Sequence, residues 1–220
     1  MTFSILAQDL GSGGFGGAAA TGSLCVGGWV LRGDSRAGLS ASQGAAPSTL
    51  WGEEALELMR RGRTAAQALA QITQPDRGRD WRQLAVLDRA GGTACHTGPR
   101  NTGWKGALVA PGLVVSGNML AGPQVLAALR DAYLAAGGTL AQRLLAALFA
   151  AEAAGGDTRG LQSAALLVVS DDAPPLNLRV DWAEDPIRAL DDLHARSQSG
   201  DYATWLPMVP TRNDPERGHD

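Results

Sequence analysis

Thr2 is the first side chain in the sequence that could do covalent chemistry. A threonine hydroxyl attacks an amide carbonyl only when a base within hydrogen-bond reach takes its proton. If Met1 is removed, the α-amine of Thr2 can be that base, because a free α-amine has a pKa of about 8. The alternative is that Thr2 is simply the first residue of a strand, since residues 2–9 are apolar on both faces. Both interpretations stay open at this point.

A second group of polar side chains lies in the segment GGDTRGLQS, residues 155–163. It places Asp157, Arg159, Gln162 and Ser163 between the end of a predicted helix and a predicted buried strand. The two glycines end the helix and allow a sharp backbone turn. One interpretation is a connecting loop with an Asp–Arg pair. The other is the wall of a binding site at the end of a sheet.

The segment 11–16 matches the pattern G-x-G-x-x-G after a strand, and Asp34 follows about 20 residues later. That pattern binds a dinucleotide only when a helix begins directly after it. Glycines at 17 and 22 interrupt the stretch where that helix would lie, at a cost of about 1 kcal/mol each. The sequence therefore favours a glycine-rich hairpin over a dinucleotide site.

The remaining candidates for chemistry are weak. Cys95 and His96 are adjacent on a predicted strand, so their side chains point to opposite faces and cannot act on each other. His96, His194 and His219 do not have the spacing of metal ligands. We therefore predict neither a metal site nor a cofactor.

Composition narrows the choice of partners. The chain has 220 residues and a net charge of −3, which gives no electrostatic footprint for nucleic acid or an anionic membrane. The longest apolar stretch, 144–154, contains Glu152 and is too short to span a bilayer. Residues 1–4 lack the basic region of a signal peptide, and two cysteines make no secreted disulfide framework. We expect a cytoplasmic protein with a small-molecule substrate or ligand, and a homodimer is plausible.

The periodicity and turn residues predict strands that cluster in hairpins and helices that come in pairs, which is an α+β pattern. Ser48, Thr64 and Thr139 have the positions of helix N-caps. The predicted strands are 2–9, 15–21, 25–32, 83–88, 93–97, 108–116, 162–169 and 177–181. The predicted helices are 49–61, 64–72, 123–136, 139–154 and 185–195. We expect one domain over residues 1–195 and a polar C-terminal tail over 196–220.

Four segments together carry a resemblance to a known family: TFSILAQD at 2–9, SGNML at 116–120, RLLAAL at 143–148 and GGDTRGLQSAAL at 155–166. They resemble the bacterial domain-of-unknown-function family 1028, and LRVD at 178–181 extends the similarity. The resemblance covers roughly residues 2–195. That family is grouped with the N-terminal-nucleophile (Ntn) hydrolases. It implies a four-layer αββα sandwich, in which two antiparallel sheets lie face to face and helices cover both outer faces.

The resemblance also implies a function. Thr2 would be the nucleophile of an amide-bond hydrolase of small substrates after Met1 removal, with Asn118 as an oxyanion donor. Asp157 and Ser163 complete the predicted catalytic group. Four further residues are predicted to bind substrate: Arg32, Gln43, Arg159 and Gln162. The alternative is a catalytically silent protein with the Ntn-like fold that binds a small ligand or oligomerises.

Overall fold

The computed structural model describes residues 2–218, so Met1, His219 and Asp220 lie outside the described residues. Within that range the chain forms ten strands and seven α-helices. The strands are β1 (Thr2–Asp9), β2 (Gly14–Thr21), β3 (Leu31–Asp34), β4 (Gly38–Gly44), β5 (Arg82–Asp88), β6 (Thr93–Thr97), β7 (Trp104–Ala110), β8 (Leu113–Leu120), β9 (Ser163–Val169) and β10 (Leu176–Val180). The helices are α1 (Val26–Trp29), α2 (Thr49–Arg60), α3 (Ala65–Thr73), α4 (Gln124–Ala135), α5 (Leu140–Ala153), α6 (Pro186–Ser197) and α7 (Gly200–Trp205).

The strands form two antiparallel sheets. One has six strands in the order β10-β9-β2-β1-β8-β7, and the other has four in the order β3-β4-β5-β6. Strands β1 and β2 are antiparallel neighbours from the Thr2–Thr21 pair to the Asp9–Gly14 pair. The predicted glycine hairpin is therefore confirmed. The helix that a dinucleotide site requires is absent here, because Gly14–Thr21 is a strand.

Three hydrophobic cores determine how the sheets and helices stack. Phe3 and Ile5 point from β1 toward α4, α5 and α6. Leu6, on the opposite face of β1, packs against Leu39 and Leu87 of the four-stranded sheet. Helices α2 and α3 cover the outer face of that second sheet. The packing order is helices, sheet, sheet, helices, and each fully buried Leu or Phe contributes about 1.5–3 kcal/mol. Strand β1 is buried on both faces, which explains why its sequence does not alternate.

The three predicted helix N-caps are confirmed. Ser48 accepts a hydrogen bond from the Trp51 amide, and Thr64 and Thr139 each form a complete capping box. Two strand predictions are wrong. Residues 25–32 form the short helix α1 followed by β3, and residues 108–116 belong to a hairpin of β7 and β8.

Each error has a local physical reason. Gly27 lets α1 lie directly on β9, where a Cβ would be 2.8 Å from the Ala165 Cβ, so tertiary packing overrides the β propensity of the stretch. Ala110 pairs with Leu113 across a two-residue turn, and Gly112 adopts the positive φ of 71° that this turn requires. Pro111-Gly112 is thus a reversal of the chain and not a bend.

The predicted boundary at 195/196 falls inside α6, which continues to Ser197. The segment predicted as a tail contains α7 and a 3-10 turn at Leu206–Met208. Arg212 donates hydrogen bonds to Ser35 (2.8 Å) and Asp34 (3.1 Å), which ties this segment to the end of β3. Among residues 2–218, no helix is both long and apolar enough to cross a membrane.

We predict that Gly16→Ala destabilises the fold by about 1–3 kcal/mol. Gly16 lies in β2 beneath α5, where a Cβ would be 2.7 Å from Leu144 Cδ1 and 2.9 Å from Leu140 Cδ2. The matched control is Gly137→Ala, where a Cβ would have open space. Urea unfolding of both variants measures the difference. Equal urea midpoints for the two variants would show that the packing of α5 on β2 does not require glycine at position 16.

Candidate active site

A row of four polar side chains crosses the six-stranded sheet at one end. Asn118 of β8 is opposite Thr2, Thr2 is opposite Thr21 of β2, and Thr21 is opposite Ser163 of β9. Directly opposed residues of antiparallel strands place their side chains on the same face. All four residues are buried. The structure therefore brings three of the predicted catalytic residues into one row and adds Thr21, which the sequence analysis did not select.

The row faces the second sheet. Side chains alternate along β1, so Thr2 shares a face with Ser4 and with Leu6, and Leu6 belongs to the core between the sheets. The Thr2 hydroxyl donates a hydrogen bond to the Thr21 Oγ1 atom at 3.1 Å. Thr2 is buried, with 7 % of its surface exposed.

Thr2 lines a cavity of about 460 Å³. One wall comes from the six-stranded sheet, one from the end of β4 and the residues after it, and one from α1 and the loop before it. The residues that line the cavity are Thr2, Thr21, Ser23, Leu24, Val26, Trp29, Val30, Gln43, Gly44, Ala45, Pro47, Met119 and Arg159.

Gln83 of β5 joins the two sheets beside this cavity. Its Oε1 atom accepts hydrogen bonds from the side-chain amides of Gln43 (2.7 Å) and Asn118 (3.2 Å). Its Nε2 atom donates to the carbonyls of Gly106 and Gly117, both at 3.0 Å, and to the Thr97 hydroxyl at 2.9 Å. Gln83 is fully buried, so each of these bonds replaces one that water would otherwise make.

The network leaves two acceptors unused. Within residues 2–218, Gln43 Oε1 and Asn118 Oδ1 are buried and have no hydrogen-bond partner. Gln43 Nε2 also donates weakly to Ser116 at 3.3 Å, and Ser116 pairs with Ser4 at 3.0 Å. A buried carbonyl without a donor costs about 1–3 kcal/mol. These two unused acceptors belong to the polar network that includes Asn118, the residue opposite Thr2.

Asp157 fixes the loop that follows β2. Its Oδ2 atom accepts from the Gly22 amide at 2.6 Å, and its Oδ1 atom accepts from the Arg159 amide at 2.7 Å. Gly22 has to be glycine, because a Cβ would lie 2.5 Å from the Gly160 carbonyl oxygen. The Asp157 side chain thus contacts the residue next to Thr21 and holds the start of the cavity wall.

Ser163 and Gln162 hold the same loop at further points. The Ser163 hydroxyl donates to the Ser23 carbonyl (2.7 Å) and accepts from the Val26 amide (3.0 Å), at the start of α1. The Gln162 side chain donates to the Gly22 carbonyl at 3.0 Å. The polar side chains of segment 155–163 therefore bind backbone groups of residues 22–26, and this segment shapes the cavity.

Arg159 and Arg32 lie in different places. Arg159 lines the cavity and donates from Nε and Nη2 to Asp157 at 3.3 and 3.2 Å. Arg32 instead pairs with Glu53 of α2 at 3.7 Å, on the helix-covered face of the four-stranded sheet. The structure therefore does not bring Arg32 to the group around Thr2.

Two features of the cavity wall do not follow from the sequence. The apolar wall comes from α1, a segment whose sequence predicts part of a strand. Met119, next to Asn118, has a φ of 58°, a strained conformation for a non-glycine residue. Thr21, which was also not predicted, did have a sequence signal, because its hydroxyl ends a strand that otherwise contains only glycine, alanine and Phe15. Nothing in the sequence marks Met119.

Cys95 is excluded as the nucleophile of this site. Desolvation raises the pKa of its thiol to about 12, so the reactive thiolate is scarce near neutral pH. The His96 ring nitrogen pairs with the Arg79 carbonyl at 3.0 Å. The His96 side chain therefore lies on the face of β6 opposite to Cys95, as the alternation of the strand predicted, and cannot act as its base.

The structure thus defines a class: a mixed α/β protein of two antiparallel sheets and seven helices within the described residues. A family model described as "Family of unknown function (DUF1028)" matches residues 2–190, so the chain belongs to that family. The resemblance in the sequence is confirmed to that extent.

The crystal structure of protein SPO2555 from Silicibacter pomeroyi, also assigned to DUF1028, is similar to this chain. The two are 52% identical with a TM-score of 0.95, and the comparison covers 100% of this chain and 99% of that one. None of the curated proteins matches the chain. The similarity extends over the whole molecule, including the segments that build the cavity.

We predict that Gln83→Met destabilises the fold by at least about 1–3 kcal/mol. Methionine fills a similar volume but leaves the amides of Gln43 and Asn118 without their shared acceptor. Gln71→Met, on the exposed face of α3, is the control. Chemical unfolding measures both. A Gln83 variant as stable as the control would show that the sheets do not depend on this side chain.

We predict that an alkylating reagent at pH 8 modifies Cys25 well before Cys95, because the raised pKa of Cys95 keeps it protonated. Peptide mass spectrometry after timed quenching gives the two rates. In urea the two rates should converge, because unfolding removes the desolvation of Cys95. Equal rates in the folded protein would contradict the prediction.

Proposed function

We propose that this protein is an amide-bond hydrolase of small substrates with an Ntn-hydrolase-like fold, in which Thr2 is the nucleophile once the residues before it are removed. One observation carries the proposal. Thr2 begins a central strand and lines a cavity of about 460 Å³ whose walls come from both sheets. A nucleophile at a strand start leaves its backbone nitrogen beside its own hydroxyl, where a free amine can act as base.

The reaction then runs in two balanced halves. The Thr2 Oγ1 atom forms a bond to the substrate carbonyl carbon, and its proton passes to the α-amine. The C–N bond breaks as the α-ammonium returns that proton to the leaving amine, which leaves an ester on Thr2. Water adds to the ester and gives a proton to the α-amine. The C–Oγ1 bond breaks, the hydroxyl regains its proton and the carboxylic acid leaves.

The neighbours of Thr2 support these steps in the proposal. Asn118 is the oxyanion donor, because it is directly opposite Thr2. Its side-chain amide is also less strongly engaged than that of Gln43, since its hydrogen bond to Gln83 is 3.2 Å long and that of Gln43 is 2.7 Å. The unpaired carbonyl of Gln43 accepts a hydrogen bond from substrate in the cavity. Asp157, Gln162 and Ser163 are positioning residues that act through the loop at 22–26.

A second candidate is a silent Ntn-like protein that binds a small ligand or oligomerises. The observation that favours it is the apolar surface of the cavity. Leu24 and Trp29 are 53% and 51% exposed at its wall, and Val26, Val30 and Pro47 extend the apolar surface inward. Such a surface binds an apolar molecule whether or not Thr2 reacts.

The test uses protein released from a cleavable leader so that Thr2 is the first residue. We predict turnover of small amides and acylated amino acids by this form. One extra residue before Thr2 should lower the rate by about 10²–10⁴, because the amine is no longer a base. Thr2→Ala should be inactive, and Thr2→Ser should keep part of the activity since it retains both hydroxyl and amine.

The pH profile provides an independent check. The neutral amine is the base, so activity should rise with pH and level off above a pKa of about 8. Intact-mass measurement of protein from its own cells shows whether the residues before Thr2 are removed. Equal turnover by all four forms would place the chemistry elsewhere. Ligand binding with no turnover by any form would favour the second candidate.

A further inference from the structure

We propose that the substrate of this site carries a carboxylate on a compact apolar body, and that Arg159 recognises the carboxylate. The inference rests on the proposed function for the reaction itself. It adds the substrate class and the residue that determines specificity. It starts from the composition of the cavity wall, where Arg159 is the only ionisable side chain among the described lining residues.

Arg159 forms an ion pair with Asp157, and only the arginine of this pair lines the cavity. The Asp157 side chain is fully buried, whereas the Arg159 side chain is 44% exposed. The Asp157 carboxylate also accepts the amides of Gly22 and Arg159, so its charge is shared with two backbone dipoles. Arg159 is therefore only partly neutralised, and its exposed part attracts an anion.

The geometry of the guanidinium suits a planar anion. Arg159 uses Nε and Nη2 toward Asp157, and Nη2 also reaches the Ser23 hydroxyl at 3.4 Å. No hydrogen bond of Nη1 to residues 2–218 accompanies them. Nη1 can therefore donate to a carboxylate in the cavity. Arginine is the side chain best matched to carboxylate geometry.

The other residues of the cavity wall determine the polarity and size of the rest of the substrate. Leu24, Val26, Trp29 and Val30 give the same cavity an apolar surface. A volume of about 460 Å³ holds a small acylated acid and excludes a folded protein domain. A cationic substrate would meet Arg159 without a facing carboxylate, because the Asp157 side chain is fully buried. These features together select an apolar, anionic amide.

The experiment compares matched ligands that differ in charge. One pair is N-hexanoylglycine and N-hexanoylglycinamide, with the carboxylate on the amine half. The other pair is N-hexylglutaramic acid and N-hexylglutaramide, with the carboxylate on the acyl half. Calorimetry on the Thr2→Ala protein measures binding without turnover. We expect the acid of at least one pair to bind tenfold or more tightly than its neutral partner, and less so at high salt.

Variants assign the preference to Arg159. Arg159→Gln should abolish it, and Arg159→Lys should keep part of it. Arg61→Gln, a surface arginine paired with Glu57, should leave it unchanged. Thermal unfolding checks that the Arg159 variants fold. The comparison of acid and amide on the Thr2→Ala protein needs no Arg159 variant, so it tests the preference for a carboxylate even if Arg159→Gln is unstable.

The two proposals fail in different ways. Turnover or binding without any preference for the acids would overturn the carboxylate inference and leave the amide hydrolase standing. A clear preference for an acid in binding, with no turnover by protein that begins at Thr2, would overturn the hydrolase and keep Arg159 as the anion site of a binding protein. A preference that survives in Arg159→Gln would also overturn the inference.

Discussion

Polar groups buried between two sheets must pair with one another, and the site of this protein depends on that constraint. Over most of their area the sheets meet through apolar side chains such as Leu6, Leu39 and Leu87. At the end near Thr2 they meet through Gln83, which binds side chains of both sheets and two backbone carbonyls. The donors and acceptors of these buried amides must find hydrogen-bond partners. The cavity beside Thr2 lies where this polar junction meets the loop after β2.

The second requirement is a rigid wall opposite the strands. Residues 22–25 join the end of β2 to the start of α1. The side chains of Asp157, Gln162 and Ser163 make four hydrogen bonds to the backbone of residues 22–26, and Gly22 lets the chains approach within hydrogen-bond distance. A side chain that orients a wall can influence binding without touching the ligand. The segment 155–163 therefore has a structural role that its polar composition only partly suggested.

Membership of DUF1028 and the similarity to SPO2555 extend over nearly the whole chain. The family is described as one of unknown function, so the support for the proposed reaction comes from the site. The site has a hydroxyl beside its own backbone nitrogen, an amide directly across the strand pair and, among the described lining residues, a single charged side chain, an arginine. None of these requires a metal or a cofactor.

The sequence alone determined the local elements and the residues worth examining. Capping residues, glycine turns and apolar stretches predicted most helices and strands, and the segment around Asp157 was recognised as polar and unusual. It could not predict α1 or the hairpin of β7 and β8, because β propensity and a single turn signal do not report how neighbouring layers pack. Only the tertiary structure placed Asn118, Thr2, Thr21 and Ser163 in one row, since strand register links residues that are distant in sequence. It also moved Arg32 to the opposite face, because position along a strand decides which side of the sheet a side chain occupies.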